Sequence, residues 1–214
     1  MSKVTSTRSQ IVEGAFAALL SDGLPNLSYD RIAQAAGTSR QLVRYHFRDP
    51  DALMISVCER LAVAYRDALA DAFDDMPEGA DRLERLLDFY FDLIAGHEKP
   101  RDDQVFDALV TRSASSPRIR HTLRSHYASL GQLVADEAMA THPELSDVQA
   151  AELSYVFVAL MYGHWRMISS LGFSEAHGAV ARDAMARVLA SYRAEEPGAE
   201  RVAIWSEEEG TPQN

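Results

Sequence analysis

Leu27-Ser28-Tyr29-Asp30-Arg31-Ile32-Ala33-Gln34-Ala35-Ala36-Gly37-Thr38-Ser39-Arg40-Gln41-Leu42-Val43-Arg44-Tyr45-His46-Phe47-Arg48-Asp49-Pro50 is a run of helix start and stop signals. Ser28 suits an N-cap, because its oxygen can accept from a free amide of the first turn. Leu27 and Ile32 have the spacing of a hydrophobic staple across that cap. Gly37 suits the left-handed position that ends a helix. Thr38 or Ser39 can cap a second short helix, Arg40 to Arg48, and Asp49-Pro50 opens a third. Two short helices joined by Ala36-Gly37-Thr38-Ser39 form a helix-turn-helix. On its second helix Arg40, Gln41, Arg44, Tyr45 and Arg48 share one arc. Val43 lies on the far side with Phe47 beside it, as anchors. Arginine can bond guanine in two places and glutamine adenine, while Ser and Tyr hydroxyls suit phosphate oxygens.

The rest of the chain reads as helix on either side of this unit. Upstream, Ile11, Val12, Ala15, Phe16, Leu19 and Leu20 form one stripe over residues 6–21, stopped by Gly23. Downstream, a helix from Pro50 to about Phe73 is followed by the break Asp74-Asp75-Met76-Pro77-Glu78-Gly79. Further helices are predicted over 80–96, 101–113, 117–141, 147–171 and 175–194, and Ser146 with Gln149 has capping-box spacing. No stretch alternates as a strand does. The fold class is therefore all-α. Three segments are expected: a helix-turn-helix domain over 1–50, a larger helical domain over 51–194, and an acidic tail over 195–214. The tail is expected to be mostly disordered, although Val202, Ile204 and Trp205 could dock locally.

Composition bounds the function. An apolar content of 47% suits a folded chain rather than a disordered one. The single cysteine, Cys58, excludes an intrachain disulfide. No signal peptide or spanning apolar run is evident, so a cytoplasmic protein without a membrane partner is expected. The net charge of −11 argues at first against a nucleic-acid binder. Divided at residue 50, it reads otherwise. Lys3, Arg8, Arg31, Arg40, Arg44 and Arg48 outnumber Glu13, Asp22, Asp30 and Asp49, so the first 50 residues carry +2 and the remainder −13. The basic end is the one that holds the helix-turn-helix.

Over its first 55 or so residues the chain resembles the TetR family of transcriptional regulators. The resemblance is carried by Arg8, Ile11, Ala15, Phe16, Gly23, Leu27-Ser28-Tyr29, Ile32-Ala33, Ala36-Gly37, Ser39, Tyr45-His46-Phe47 and Leu53. It implies that Arg40 and Gln41 begin the recognition helix, that Tyr45 and His46 reach DNA or its backbone, and that Ser28, Tyr29, Thr38 and Ser39 meet phosphates. The arc read from the residues adds Arg44 and Arg48. Three positions depart from the family pattern: Gln41-Leu42 replaces the usual Gly-Thr type pair, Arg44 a common Tyr, and Pro50 a phosphate-touching Lys. The resemblance further implies a homodimer on a palindromic operator in double-stranded DNA, released by a small-molecule effector. Candidate effector-pocket residues are Phe89, Tyr90, His126, Tyr127, Tyr162, His164 and Trp165, which include side chains with an apolar body and a polar tip. Candidate dimer residues on the last two helices are Leu153, Leu160, Gly163, Leu171, Val180, Ala186 and Leu189. Arg118, Arg120, His121, Arg124 and His126 form a basic island that either pairs with Asp102, Asp103 and Asp107 or holds an acidic group of an effector.

Enzyme and metal motifs are incomplete. His97-Glu98-Lys99-Pro100-Arg101 lacks the second His of a zinc-protease helix. Gly172-Phe173-Ser174-Glu175-Ala176 lacks the last Gly of a nucleophile elbow. No cofactor, metal or catalytic residue is expected. The alternative to a regulator is an all-helical small-molecule or protein-binding module that no longer reads DNA.

Overall fold

Ser6 opens the first helix by accepting a hydrogen bond from the Ser9 amide, and α1 then runs Thr7–Asp22 to Gly23. The computed structural model describes residues 6–97, 99–100, 102–194 and 204–205. Among them it contains nine α-helices and no strand. After α1 comes a single 3-10 turn, Leu24–Asn26, then α2 (Tyr29–Ala35), α3 (Arg40–His46) and α4 (Pro50–Asp74). There follow α5 (Arg82–Tyr90), α6 (Asp103–Ser113), α7 (Pro117–Thr141), α8 (Asp147–Leu171) and α9 (His177–Ala194). None of the described helices is long and apolar enough to cross a membrane.

Most ends fall where local chemistry puts them. The capping box of α8 is complete: Gln149 donates its amide to the Ser146 hydroxyl oxygen and accepts from the Ser146 amide. The helix expected over 80–96 is shorter than predicted, ending at Tyr90. Asp92 takes a left-handed conformation (φ 54°), its amide reaches the Phe89 carbonyl, and the Leu93 amide reaches back to Asp88. That is a Schellman ending with aspartate in the place of glycine. The Asp92 carboxylate also accepts from the Lys99 amide at 2.9 Å, which holds the turn.

The chain divides into two compact units, Met1–Asp67 with Pro100–Ser125, and Ala68–Lys99 with His126–Asn214. The unit that holds the helix-turn-helix thus also takes in the start of α4, α6 and the start of α7, beyond the residues 1–50 expected for it. Its core unites Ile11, Ala15 and Leu19 of α1 with Ile32, Val43, Phe47, Leu53, Val57, Leu109 and Ile119. Cys58 lies in this core, and burial pushes its thiol up to about 12. The second unit buries Leu83, Leu86, Leu87 and Phe89 of α5, Leu153 and Phe157 of α8, and Met185 and Leu189 of α9. In the same unit Arg182, almost wholly buried, binds Asp88 at 2.7 Å and also Glu84.

Candidate nucleic-acid interface

The turn between α2 and α3 is built by Gly37, at φ 61°. Its amide bonds the Gln34 carbonyl, and the Thr38 amide bonds that of Ala33, again the Schellman arrangement. Ser28 caps α2 and Ser39 caps α3, each accepting one backbone amide. Two residues of α1 that sequence reasoning passed over fix this turn. Gln10 donates to the Ala36 carbonyl at 2.8 Å. A side chain at Gly14 would meet Ala36 at 2.6 Å, so only glycine allows α1 to lie against the turn. The signal was a glycine inside an amphipathic helix, where it has a propensity cost.

Val43 and Phe47 are buried and anchor α3, while Arg40, Gln41, Arg44, Tyr45 and Arg48 face solvent. Tyr45 is 69% exposed, unusual for an aromatic side chain without a partner surface. Gln41, Arg44, Tyr45 and Arg48 together line a shallow open groove. Arg40 is held by Asp30 at 3.2 Å. Arg44 and Arg48 make no ion pair with the described residues. The arc therefore combines cations, an amide and an aromatic hydroxyl on a rigid helix, the side-chain set that bonds base edges and phosphates.

The remaining expected contacts are placed unequally. Ser28 and Ser39 are occupied only as acceptors, which leaves their hydroxyl protons for a phosphate. Thr38 is half-buried at the turn, and half-buried His46 packs edge-on against Tyr45. Tyr29 departs from expectation: its hydroxyl donates to the Phe47 carbonyl at 2.8 Å, so its one proton is committed inside the unit. Burial, and then the charge of Asp49, raise the Tyr29 phenol above its ordinary value. Arg31 is tied to Asp22, and Arg8 donates to Ser56 while stacking on the Phe47 ring.

Asp49 caps α4 by accepting from the Asp51 amide at 3.0 Å, and Pro50 takes the first helical position. Asp49 also pairs with Arg118 at the start of α7, and Asp51 pairs with Arg112 of α6. The Arg118 guanidinium and the backbone amides hold the Asp49 carboxyl below the usual aspartate range. The basic island is thereby divided, since Arg118 goes to Asp49 rather than to the acidic neighbours expected for it. Arg120 bonds the carbonyls of Ser113 and Ala114 at the end of α6.

In the second unit the expected effector residues form two groups. Phe89, Tyr90, His164 and Trp165 are buried, and Tyr90, Phe91, Phe157, His164 and Trp165 make a chain of edge-on ring contacts. The Trp165 indole donates to the Tyr90 carbonyl at 2.8 Å, and burial raises the Tyr90 phenol. His126, Tyr127 and Tyr162 are half-buried, with the two tyrosine rings 6.5 Å apart. Sequence reasoning missed Lys99, which is 3% exposed and sets its ammonium 3.5 Å from the centre of the Trp165 ring. One sign was available: it is one of two lysines in a chain whose other cations are arginine.

Of the expected dimer residues, Leu171 and Val180 are well exposed, Ala186 is exposed, and Leu160 and Gly163 are half-buried. Leu153 and Leu189 need correction. At 1% and 6% exposure both are filled into the core of the second unit and leave little area for a second copy. Met167 and Phe173, which sequence reasoning left out of this set, are exposed instead.

No family model matches the chain. It is 26% identical to the HTH-type transcriptional regulator BetI of Escherichia coli (strain UMN026) over 160 residues, 74% of this chain and 80% of that one. A TetR transcription regulator from Haloarcula marismortui superimposes with a TM-score of 0.71 at 17% identity, covering 87% of this chain and 97% of its own. A transcriptional regulator from Saccharomonospora viridis, solved in complex with choline, gives 0.68 at 23% identity, covering 86% and 95%. The chain has the TetR-family fold, with the helix-turn-helix in its N-terminal unit, and it is similar in sequence to a TetR-type regulator over 74% of its length.

Proposed function

We propose that the chain is a ligand-responsive, DNA-binding transcriptional regulator, a repressor that holds a palindromic operator as a homodimer and leaves it when a small molecule binds. The observation that carries this reading is the solvent-facing arc of Arg40, Gln41, Arg44, Tyr45 and Arg48 on a helix anchored from behind by Val43 and Phe47. One such helix reaches only a few base pairs, and two-fold symmetry doubles the contacts. Exposed Met167, Leu171, Phe173 and Val180 supply apolar surface for the second copy. The effector acts through its different affinity for the operator-matched and unmatched dimer geometries.

The aromatic cluster around Trp165 bears on the effector. A structural neighbour binds choline, whose quaternary ammonium would be drawn to an aromatic face. In this chain that face already carries the Lys99 ammonium. A quaternary ammonium would have to displace that ammonium from the ring, which favours an effector of another class.

A gel-shift titration on the promoter upstream of its own gene tests the reading. Sequence-selective retention that weakens with rising salt supports it. Failure to retain any nearby promoter at low salt leaves instead the binding module without DNA recognition.

A further inference from the structure

Trp205 is half-buried and seated across α7 and α8. Its indole Nε1–H donates to the Ser154 hydroxyl oxygen at 2.8 Å. Ser154 is wholly buried, and its own proton goes to the Ala151 carbonyl, so its oxygen is presented as an acceptor. The indole lies against Gly131, where an added side chain would come within 2.1 Å of Cε2 and 2.2 Å of Cζ2. The three nearest atoms to that position all belong to Trp205. Glycine inside a helix is less stable than alanine, and this contact is what the missing side chain makes room for. The exposed Tyr155 ring flanks the indole, 5.8 Å from it and tilted by 48°.

We propose that Gly131, Ser154 and Tyr155 form a binding slot for a flat aromatic compound carrying one N–H donor, and that Trp205 is its intramolecular occupant. A free ligand of the indole class and the chain's own residue 205 then compete for one place. The missing side chain at Gly131 leaves room for a ring, the buried Ser154 oxygen selects for a donor at the ring edge, and Tyr155 for an aromatic body. The slot rests on these contacts alone and is independent of the DNA-binding reading. Tethering gives the indole side chain a high effective concentration, so a free ligand binds weakly until the residue is displaced or removed. If Trp205 fills the slot nine-tenths of the time, apparent affinity for a competitor drops by about tenfold.

The test uses the full chain and free indole as the probe. Calorimetry is expected to show indole binding to Trp205→Ala at least about tenfold more tightly than to wild type. Adding Gly131→Ala to that variant fills the slot and is expected to abolish binding, with helix content unchanged because alanine is the better helix former. Naphthalene, flat but without the N–H, is expected to bind the Trp205→Ala chain more weakly than indole. In wild type labelled with 5-fluorotryptophan, indole is expected to move the fluorine resonance of Trp205 toward its solvent-exposed position and to leave Trp165 in place. The proposal is overturned if Trp205→Ala binds indole no better than wild type. It is equally overturned if Gly131→Ala leaves that binding intact.

Discussion

Arg44 and Tyr29 belong to the two helices of one helix-turn-helix and differ in role. Arg44 sits on the exposed arc without an ion-pair partner among the described residues, so its replacement removes no bond that holds the fold. Arg44→Ala is expected to weaken operator binding by about 1–3 kcal/mol, the scale of one good base contact. The circular-dichroism spectrum and melting temperature should stay as in wild type, and a loss of helicity would reassign Arg44 to structure. Tyr29 was legible as a phosphate contact only by its position in the resemblance. Its hydroxyl instead closes the helix-turn-helix by donating to the Phe47 carbonyl. Tyr29→Phe is therefore expected to cost about 1 kcal/mol of stability by denaturant titration. The salt dependence of operator binding should be unchanged, whereas a shallower slope would restore the phosphate role.

At the scale of the element, capping chemistry decided most boundaries in advance. Ser28, Ser39, Gly37 and the Ser146–Gln149 pair act through neighbours three or four residues away, so local sequence states their effect completely. The end of α5 was not legible. Asp92 there adopts a conformation natural to glycine, and the Lys99 amide that supports it lies seven residues on. Gly14 illustrates the same limit in α1. Alanine is about 1 kcal/mol the better helix former, so helix propensity alone would favour Gly14→Ala. The contact with Ala36 reverses the sign. Overpacking is expected to cost about 1–3 kcal/mol, visible as a lowered urea midpoint and weaker operator binding. A midpoint equal to or above that of wild type would show that the turn can retreat from α1.

For the whole molecule, the charge of −11 conceals a basic reading end and an acidic remainder, which favours binding through one end only. Dimerisation is tested by Leu171→Asp with Val180→Asp, both positions being exposed in the single chain. Sedimentation is expected to show a monomer that has lost most of its operator affinity, while a dimer of normal affinity would place the interface elsewhere. Stability should also depend on pH through His164, whose Nε2 is buried without a hydrogen-bond partner among the described residues. Burial, then the nearby charges of His177 and Lys99, hold it below the ordinary 6.5. As pH falls below 6.5 the unfolded chain gains a proton that the folded chain refuses, so stability declines. His164→Gln should flatten that part of the urea-midpoint profile, and an unchanged slope would exclude His164 as its source. The sequence by itself determined the helices, their caps, the anchored basic arc and the polarity of charge, because each depends on residues adjacent along the chain or around one helix. Tertiary structure decided what Tyr29 bonds, why position 14 is glycine, which leucines of α8 and α9 remain exposed, and where the indole of Trp205 rests. Those outcomes depend on atoms brought together from distant parts of the chain, and no local pattern records them.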